Sequence, residues 1–202
     1  SEAFFSKCVI LVEGDTELGA FPVFAQMFNV DFDDHGISII QAAGANSIPP
    51  LMKMFKQFGL NTISLMDRDK YDPKLGNIEN LSFTDKLDFE EEIVSFCFEK
   101  KNVAILKEII RNYDTKGLGR RISKEKLNKI IKKYNISLED IKEDYDFTID
   151  DPNLLYPMFL AWLDINKSIL LGITIAENLP KELIPPKFKK VIETAVEVAK
   201  NV

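Results

Sequence analysis

Five apolar residues, Cys8-Val9-Ile10-Leu11-Val12, run without a break into Glu13-Gly14-Asp15-Thr16-Glu17. An unbroken apolar run of this length, closed by a turn signal, reads as a β-strand buried on both faces, which demands structure above and below it. Gly14 is expected to make the sharp turn off the strand, with Asp15 or Thr16 capping the helix that follows. Glu13 then stands at the carboxyl end of a central parallel strand, the edge along which open α/β sheets gather their ligands. A second apolar stretch, residues 62–66, ends the same way in Asp67-Arg68-Asp69. In extended chain, residues i and i+2 point to one side, so both aspartates are expected to face one site while Arg68 faces away. Glu90 follows in the acidic run Asp88, Glu90, Glu91 and Glu92. Carboxylates held together repel unless a cation neutralises them. A set made only of oxygen donors, with no nearby histidine or cysteine, favours Mg²⁺ or Mn²⁺ over zinc.

The elements expected around these turns alternate. A helix over 16–29 contains Pro22 as a kink or a late start; a strand follows at 36–40, a turn at 43–47, a helix at 48–58 and the strand at 62–66. Strand–helix alternation implies a parallel sheet. Residues 71–80 read as a loop. Helices are expected at 87–98, 102–113, 123–134 and from 137 to about 144, with Pro152 and Pro157 punctuating the exit into the apolar 158–163. Helices at 169–178 and 188–199 close the chain. The division this suggests is a first α/β part (1–94), a helical insertion (95–160) and C-terminal helices that complete the α/β part (161–202).

Composition narrows the classes. Of 202 residues, 46% are hydrophobic and 29% charged, as in a globular protein, and no apolar run approaches the roughly 20 residues of a membrane span. Cys8 and Cys97 both sit in apolar segments and read as reduced, buried thiols of a cytoplasmic protein. A single histidine, His35, in a turn-like Asp33-Asp34-His35-Gly36 context, speaks against triad chemistry. The net charge of −6 conceals a segregation: residues 116–133 hold eight basic residues against Glu125 alone. Such a segment is either a phosphate-binding face, with Lys116, Arg120, Arg121 and Lys124 as candidate DNA contacts, or a solvated helix face.

Val12-Glu13-Gly14-Asp15-Thr16-Glu17 at a strand end, followed some fifty residues on by Leu65-Met66-Asp67-Arg68-Asp69, resembles a Toprim domain. Residues 2–7, the strand His35-Gly36-Ile37-Ser38-Ile39-Ile40, the Gly44-x-Asn46 turn, Leu87-Asp88-Phe89-Glu90 and the tail from Lys167 to Pro185 are similar to the OLD (overcoming lysogenization defect) family. The resemblance implies a Toprim-type parallel sheet flanked by helices, with an inserted or appended helical subdomain. It implies a DNA endonuclease working with two Mg²⁺ or Mn²⁺ ions, plausibly in phage defence. Glu13, Glu17, Asp67, Asp69 and Glu90 fall on the metal-binding acids, with Glu90 favoured over Asp88 in the Asp-Phe-Glu triplet. Glu13 and Lys167 fall on catalytic positions. OLD proteins carry an ATPase before the nuclease; no Gly-x4-Gly-Lys-Ser/Thr loop occurs here, so that partner, and a homodimer formed through it, are expected from outside this chain. The alternatives are a Toprim module for DNA binding or assembly with little hydrolysis of its own, and a Toprim nuclease acting on RNA.

Overall fold

The computed structural model describes residues 5–115, 117, 124–137 and 147–201, with the side chains of 124–127 outside that description. Its centre is a four-stranded parallel sheet in the order β2-β1-β3-β4, formed by β1 (Cys8–Val12), β2 (Ile37–Gln41), β3 (Asn61–Met66) and β4 (Leu81–Phe83). β1 is the inner strand that the sequence pattern implies. Cys8 through Leu11 have no exposed surface, and Val12 is 1% exposed. The pleat sends Cys8, Ile10 and Val12 into one apolar layer and Val9 and Leu11 into the other. The smaller layer is covered by α3 (Ile48–Gln57) through Ile48, Met52 and Phe55. The larger layer joins α1 (Asp15–Met27), α4 (Phe89–Glu99), α5 (Ala104–Asp114), α7 (Pro152–Ile165), α8 (Ile169–Asn178) and α9 (Pro186–Lys200).

Several local expectations change. Pro22 neither breaks nor delays α1, which starts at Asp15 and carries the proline inside it. Neither Asp15 nor Thr16 caps that helix. Gly14 is its N-cap, in an extended conformation open to any residue (φ −134°, ψ 179°), without a side-chain cap bond. What Gly14 supplies is space, because a Cβ there would lie 3.0 Å from Glu17 Oε2. β4 was not anticipated, being three residues long and following a turn-rich segment; pairing with β3, not local pattern, makes it a strand. Pro157, expected to punctuate, lies within α7, while Pro152 occupies its first turn. α2 (Phe32–His35) is a single turn ending at His35, and α6 (Lys124–Tyr134) packs on α7. The helix expected from 137 to about 144 lies largely outside the described residues. The divisions at 94/95 and 160/161 fall inside α4 and α7. Cys8 and Cys97 are free and buried, and burial pushes both thiols up to about 12. Among the described residues no helix is long and apolar enough to cross a membrane.

α1 and α8 approach each other backbone to backbone. At Gly19 a Cβ would meet Ile169 O at 2.1 Å, and at Gly172 one would meet Thr16 O at 2.0 Å. The two backbones therefore touch at two glycines, one on each helix. This fixes Glu17, on α1, relative to Lys167, which lies just before α8. Gly172→Ala should force the helices apart and lower stability by about 1–3 kcal/mol. At about 2–4 °C per kcal/mol for a chain this size, a calorimetric midpoint within 1 °C of wild type would contradict this packing.

Candidate functional site

The carboxyl ends of β1 and β3 are neighbours, and a loop after β4 folds back over them. Thr84 makes that fold. Its N–H donates to Met66 O (3.0 Å), its Oγ1 accepts from Arg68 N–H (2.9 Å) and donates to Lys86 O (2.7 Å). The N-terminus of α4 is thereby brought over the end of β3. Phe89 N–H donates to Asp67 Oδ1 at 3.1 Å, and Asp67 N–H in turn reaches Glu13 Oε2 at 3.4 Å. Phe89 is locked by stacking on Phe188, with ring centroids 4.5 Å apart and planes at 10°. Its neighbours Asp88 and Glu90 are fixed with it.

The acidic run at the start of α4 sorts itself by partners. Asp88 is the N-cap and accepts from Glu91 N–H at 2.9 Å, while the Glu91 carboxylate accepts from Leu87 N–H at 2.8 Å. Glu92 Oε2 ties the incoming loop by accepting from Asp85 and Lys86 N–H, both at 2.8 Å. Glu90 differs. It is 1% exposed, its Oε2 is held by Lys167 Nζ at 2.6 Å, and its Oε1 has no hydrogen-bond partner among the described residues. A buried charge so poorly satisfied is costly and marks a place where a ligand can be gained.

Lys167 sits in the joint between α7 and α8, pinned on both sides. Asn166 Nδ2 bonds back to Trp162 O at 2.8 Å, and Ser168 caps α8 by accepting from Leu171 N–H at 3.1 Å. Besides Glu90, its ammonium faces Asp88 Oδ2 and Asp164 Oδ1, each at 3.6 Å. Lys133, at the end of α6, pairs with the same two carboxylates, with Asp164 at 2.7 Å and with Asp88 more closely still. Tyr134 Oη donates to Asp88 Oδ2 at 2.5 Å. Asp164, Lys133 and Tyr134 were not singled out from the sequence. Only the three-residue spacing of Asp164 and Lys167 hinted at one of these pairs.

Electrostatics follow from this crowding. Burial, then the charges of Glu17, Asp88 and Glu90, push Asp67 up to about 9. Burial and then Glu90 push Glu17 up to about 7. Glu13 and Glu90 are also raised, chiefly by burial. Burial opposes the charge on Lys167, but Glu90, Asp88 and Asp164 override it and hold the ammonium well above its ordinary range. Asp88 goes the other way: burial is outweighed by Lys167 and Lys133, and its carboxyl is held down.

Asp69 departs from expectation. The strand ends at Met66, and Arg68–Lys70 form a 3-10 turn, so the alternation of extended chain does not apply. Asp69 N–H is drawn to Leu87 O at 3.0 Å, and its carboxylate pairs with Lys70 at 2.7 Å while its charge still bears on Glu13. Arg68 lies over the Tyr71 ring, 4.7 Å from its centroid. As placed, no three carboxylates among the described residues converge on one point suited to a metal ion. Like charges without a neutralising cation spread apart or take up protons. Lys116, Arg120 and Arg121 lie outside the described residues; Lys124 begins α6, with its side chain outside them. Lys133 of the same basic segment is turned inward onto Asp88 and Asp164 and is not a free phosphate contact.

A parallel sheet with a glutamate after its central strand and an aspartate after the next is the arrangement of a Toprim-type domain. Residues 4–69 match the family model described as overcoming lysogenization defect protein-like, TOPRIM domain. The whole chain has the fold of two solved C-terminal regions of OLD proteins. The first, from Xanthomonas campestris pv. campestris, superposes with a TM-score of 0.63 at 20% identity, covering 100% of this chain and 97% of that one. The second, from Burkholderia pseudomallei, gives 0.58 at 16% identity, with 98% of each chain covered. No curated protein sequence matches the chain.

The raised carboxyls give a signed pH dependence. Asp67 moves from 3.8 to about 9 and Glu17 from 4.5 to about 7, so the folded state binds more protons than the unfolded state between those limits. Stability is then greatest at the acid end of the window and falls as pH rises through it. In EDTA the melting midpoint should drop from pH 5 to pH 9, and Asp67→Asn should flatten the profile. A wild-type midpoint that rises over this range would contradict the burial of these acids.

Proposed function

We propose that the chain is a metal-dependent DNA endonuclease module, the nuclease part of an OLD-type ATPase–nuclease, serving phage defence. The observation that carries the proposal is Glu90. It is a buried carboxylate whose Oε1 has no hydrogen-bond partner among the described residues, within electrostatic reach of Asp67 and Glu17, with the Lys167 ammonium as the close counter-charge on its other oxygen. The donor set is all oxygen, which suits Mg²⁺ or Mn²⁺. Glu13, Glu17, Asp67 and Glu90 would hold the ions, with Asp69 at the rim. A pair of divalent ions held there would supply a water acidified for attack and neutralise charge on the leaving oxygen.

The chain's own residues do the rest. Phe89 N–H fixes the Asp67 carboxylate, and the backbone of Asp67 fixes that of Glu13, so the two strand-end acids are oriented before any ligand arrives. The Lys167 side chain, 35% exposed with its ammonium on Glu90, would meet the anionic phosphate as charge develops on it. The basic segment 116–124 would track the backbone of DNA, and the ATPase and homodimer contacts would come from a longer protein.

A second function, binding or assembly with little hydrolysis by the isolated chain, is favoured by two features. Lys167 already engages Glu90, and no three carboxylates converge among the described residues. Incubating supercoiled plasmid with the chain in Mg²⁺, Mn²⁺, Ca²⁺ or EDTA separates the two. The proposal expects nicked or linear product in Mg²⁺ or Mn²⁺, lowered at least a hundredfold by Asp67→Ala or Glu90→Gln in folded protein. Intact plasmid with folded wild-type chain, or equal cleavage by the variants, would count against it. Reversing Arg120 and Arg121 to Glu should weaken DNA binding and reduce the salt slope by about one for each phosphate no longer neutralised. Unchanged binding across a salt titration would make the segment a solvated face.

A further inference from the structure

Two lysines and two aspartates form a closed ionic group beside Glu90. Lys133 and Lys167 face the same oxygen of Asp88, Oδ2, and the same oxygen of Asp164, Oδ1. Lys133 makes the closer contact with each; Lys167 stands 3.6 Å from both and comes to 2.6 Å only on Glu90. The group is inward: Asp88 is fully buried, and the side chains of Asp164 and Lys133 are 22% and 24% exposed. With Glu90 the count is two lysines against three carboxylates, so Lys167 can pair closely with Glu90 only because Lys133 serves both Asp88 and Asp164. A buried carboxylate stripped of its cation is strongly destabilised and recruits any cation in reach. Without Lys133, the only remaining lysine in this group able to serve Asp88 and Asp164 is Lys167.

We infer that Lys133 is a positioning residue for Lys167: by occupying Asp88 and Asp164, it keeps the Lys167 ammonium paired with Glu90. The inference rests on the proposed function for the role given to Lys167, but its geometric core does not depend on activity. Tyr134 supports the arrangement through its hydrogen bond to Asp88 Oδ2, and Lys133 Nζ also lies 4.8 Å from the centre of the Tyr134 ring. Both residues end α6, whose other end begins at Lys124 in the basic segment. The cation that prepares the sheet-end site thus comes from a helix outside the sheet layers.

The test compares Lys133→Met and Lys133→Arg in this chain. The first readout is metal-free: crystal structures of the two variants in EDTA. Lys133→Met should move Lys167 Nζ off Glu90 to within ion-pair distance of Asp88 and Asp164, and Lys133→Arg should leave the Lys167–Glu90 pair in place. If Lys133→Met does not fold, Lys133→Gln, which keeps a donor for Asp88 without the charge, takes its place with the same expectation. A Lys167–Glu90 pair unchanged in the uncharged variant overturns the inference, whether or not the wild-type chain cuts DNA. The second readout is plasmid nicking. Lys133→Met should lower kcat at least tenfold with KM for DNA within twofold, and Lys133→Arg should restore most of kcat. A rise in KM alone would make Lys133 a DNA contact and overturn the positioning role. Absence of nicking by wild type would count against the proposed function and leave the crystallographic result to decide the inference.

Discussion

The ion pair between Lys167 and Glu90 is the constraint around which the carboxyl end of the sheet is organised. Four carboxyls, on Glu13, Glu17, Asp67 and Glu90, are gathered at this end, burial raises all four, and the ammonium groups of Lys167, Lys133 and Lys70 offset part of the cost. Such an arrangement works against stability. It persists because surrounding packing leaves the groups no other place. Glu90 and Asp88 flank Phe89, which is stacked on Phe188, and Lys167 is held by a helix end on one side and a helix start on the other.

The same packing explains why elements far apart in sequence must cooperate. α1 and α8 meet at Gly19 and Gly172 so closely that no side chain fits between them. The acid on α1 and the lysine before α8 are therefore placed by a single contact. The loop after β4 performs the corresponding task for α4, through Thr84 and the N–H of Phe89. α6 adds Lys133 and Tyr134 from a further direction. Four separate segments converge on the end of a sheet whose strands supply only two of the acids.

Part of this was legible in the chain itself. The β1 run, the strand ending at Asp67 and the alternation with helices are local patterns with strong physical causes, and the parallel sheet followed from them. Glu13 and Asp67 could be placed because a strand end fixes direction. Asp69 could not be placed by the same logic, because a 3-10 turn begins where extended chain was assumed. Gly14 likewise differs from expectation: its conformation is ordinary, and it matters for the room it leaves to Glu17. β4 escaped notice because pairing alone defines so short a strand. Lys133, Tyr134 and Asp164 were invisible for a related reason. Their partners lie 30 or more residues away or across a helix joint, and no local periodicity encodes an ion pair formed in tertiary structure.

The central claim is that these acids form a divalent-cation site shared with Lys167. A crystal of the chain soaked in Mn²⁺, with anomalous differences measured near the manganese edge, addresses it directly. The account predicts an anomalous peak bounded by Glu13, Asp67 and Glu90, with Lys167 Nζ drawn away from Glu90. A map without a peak there at saturating Mn²⁺, and with the Lys167–Glu90 pair intact, would contradict it.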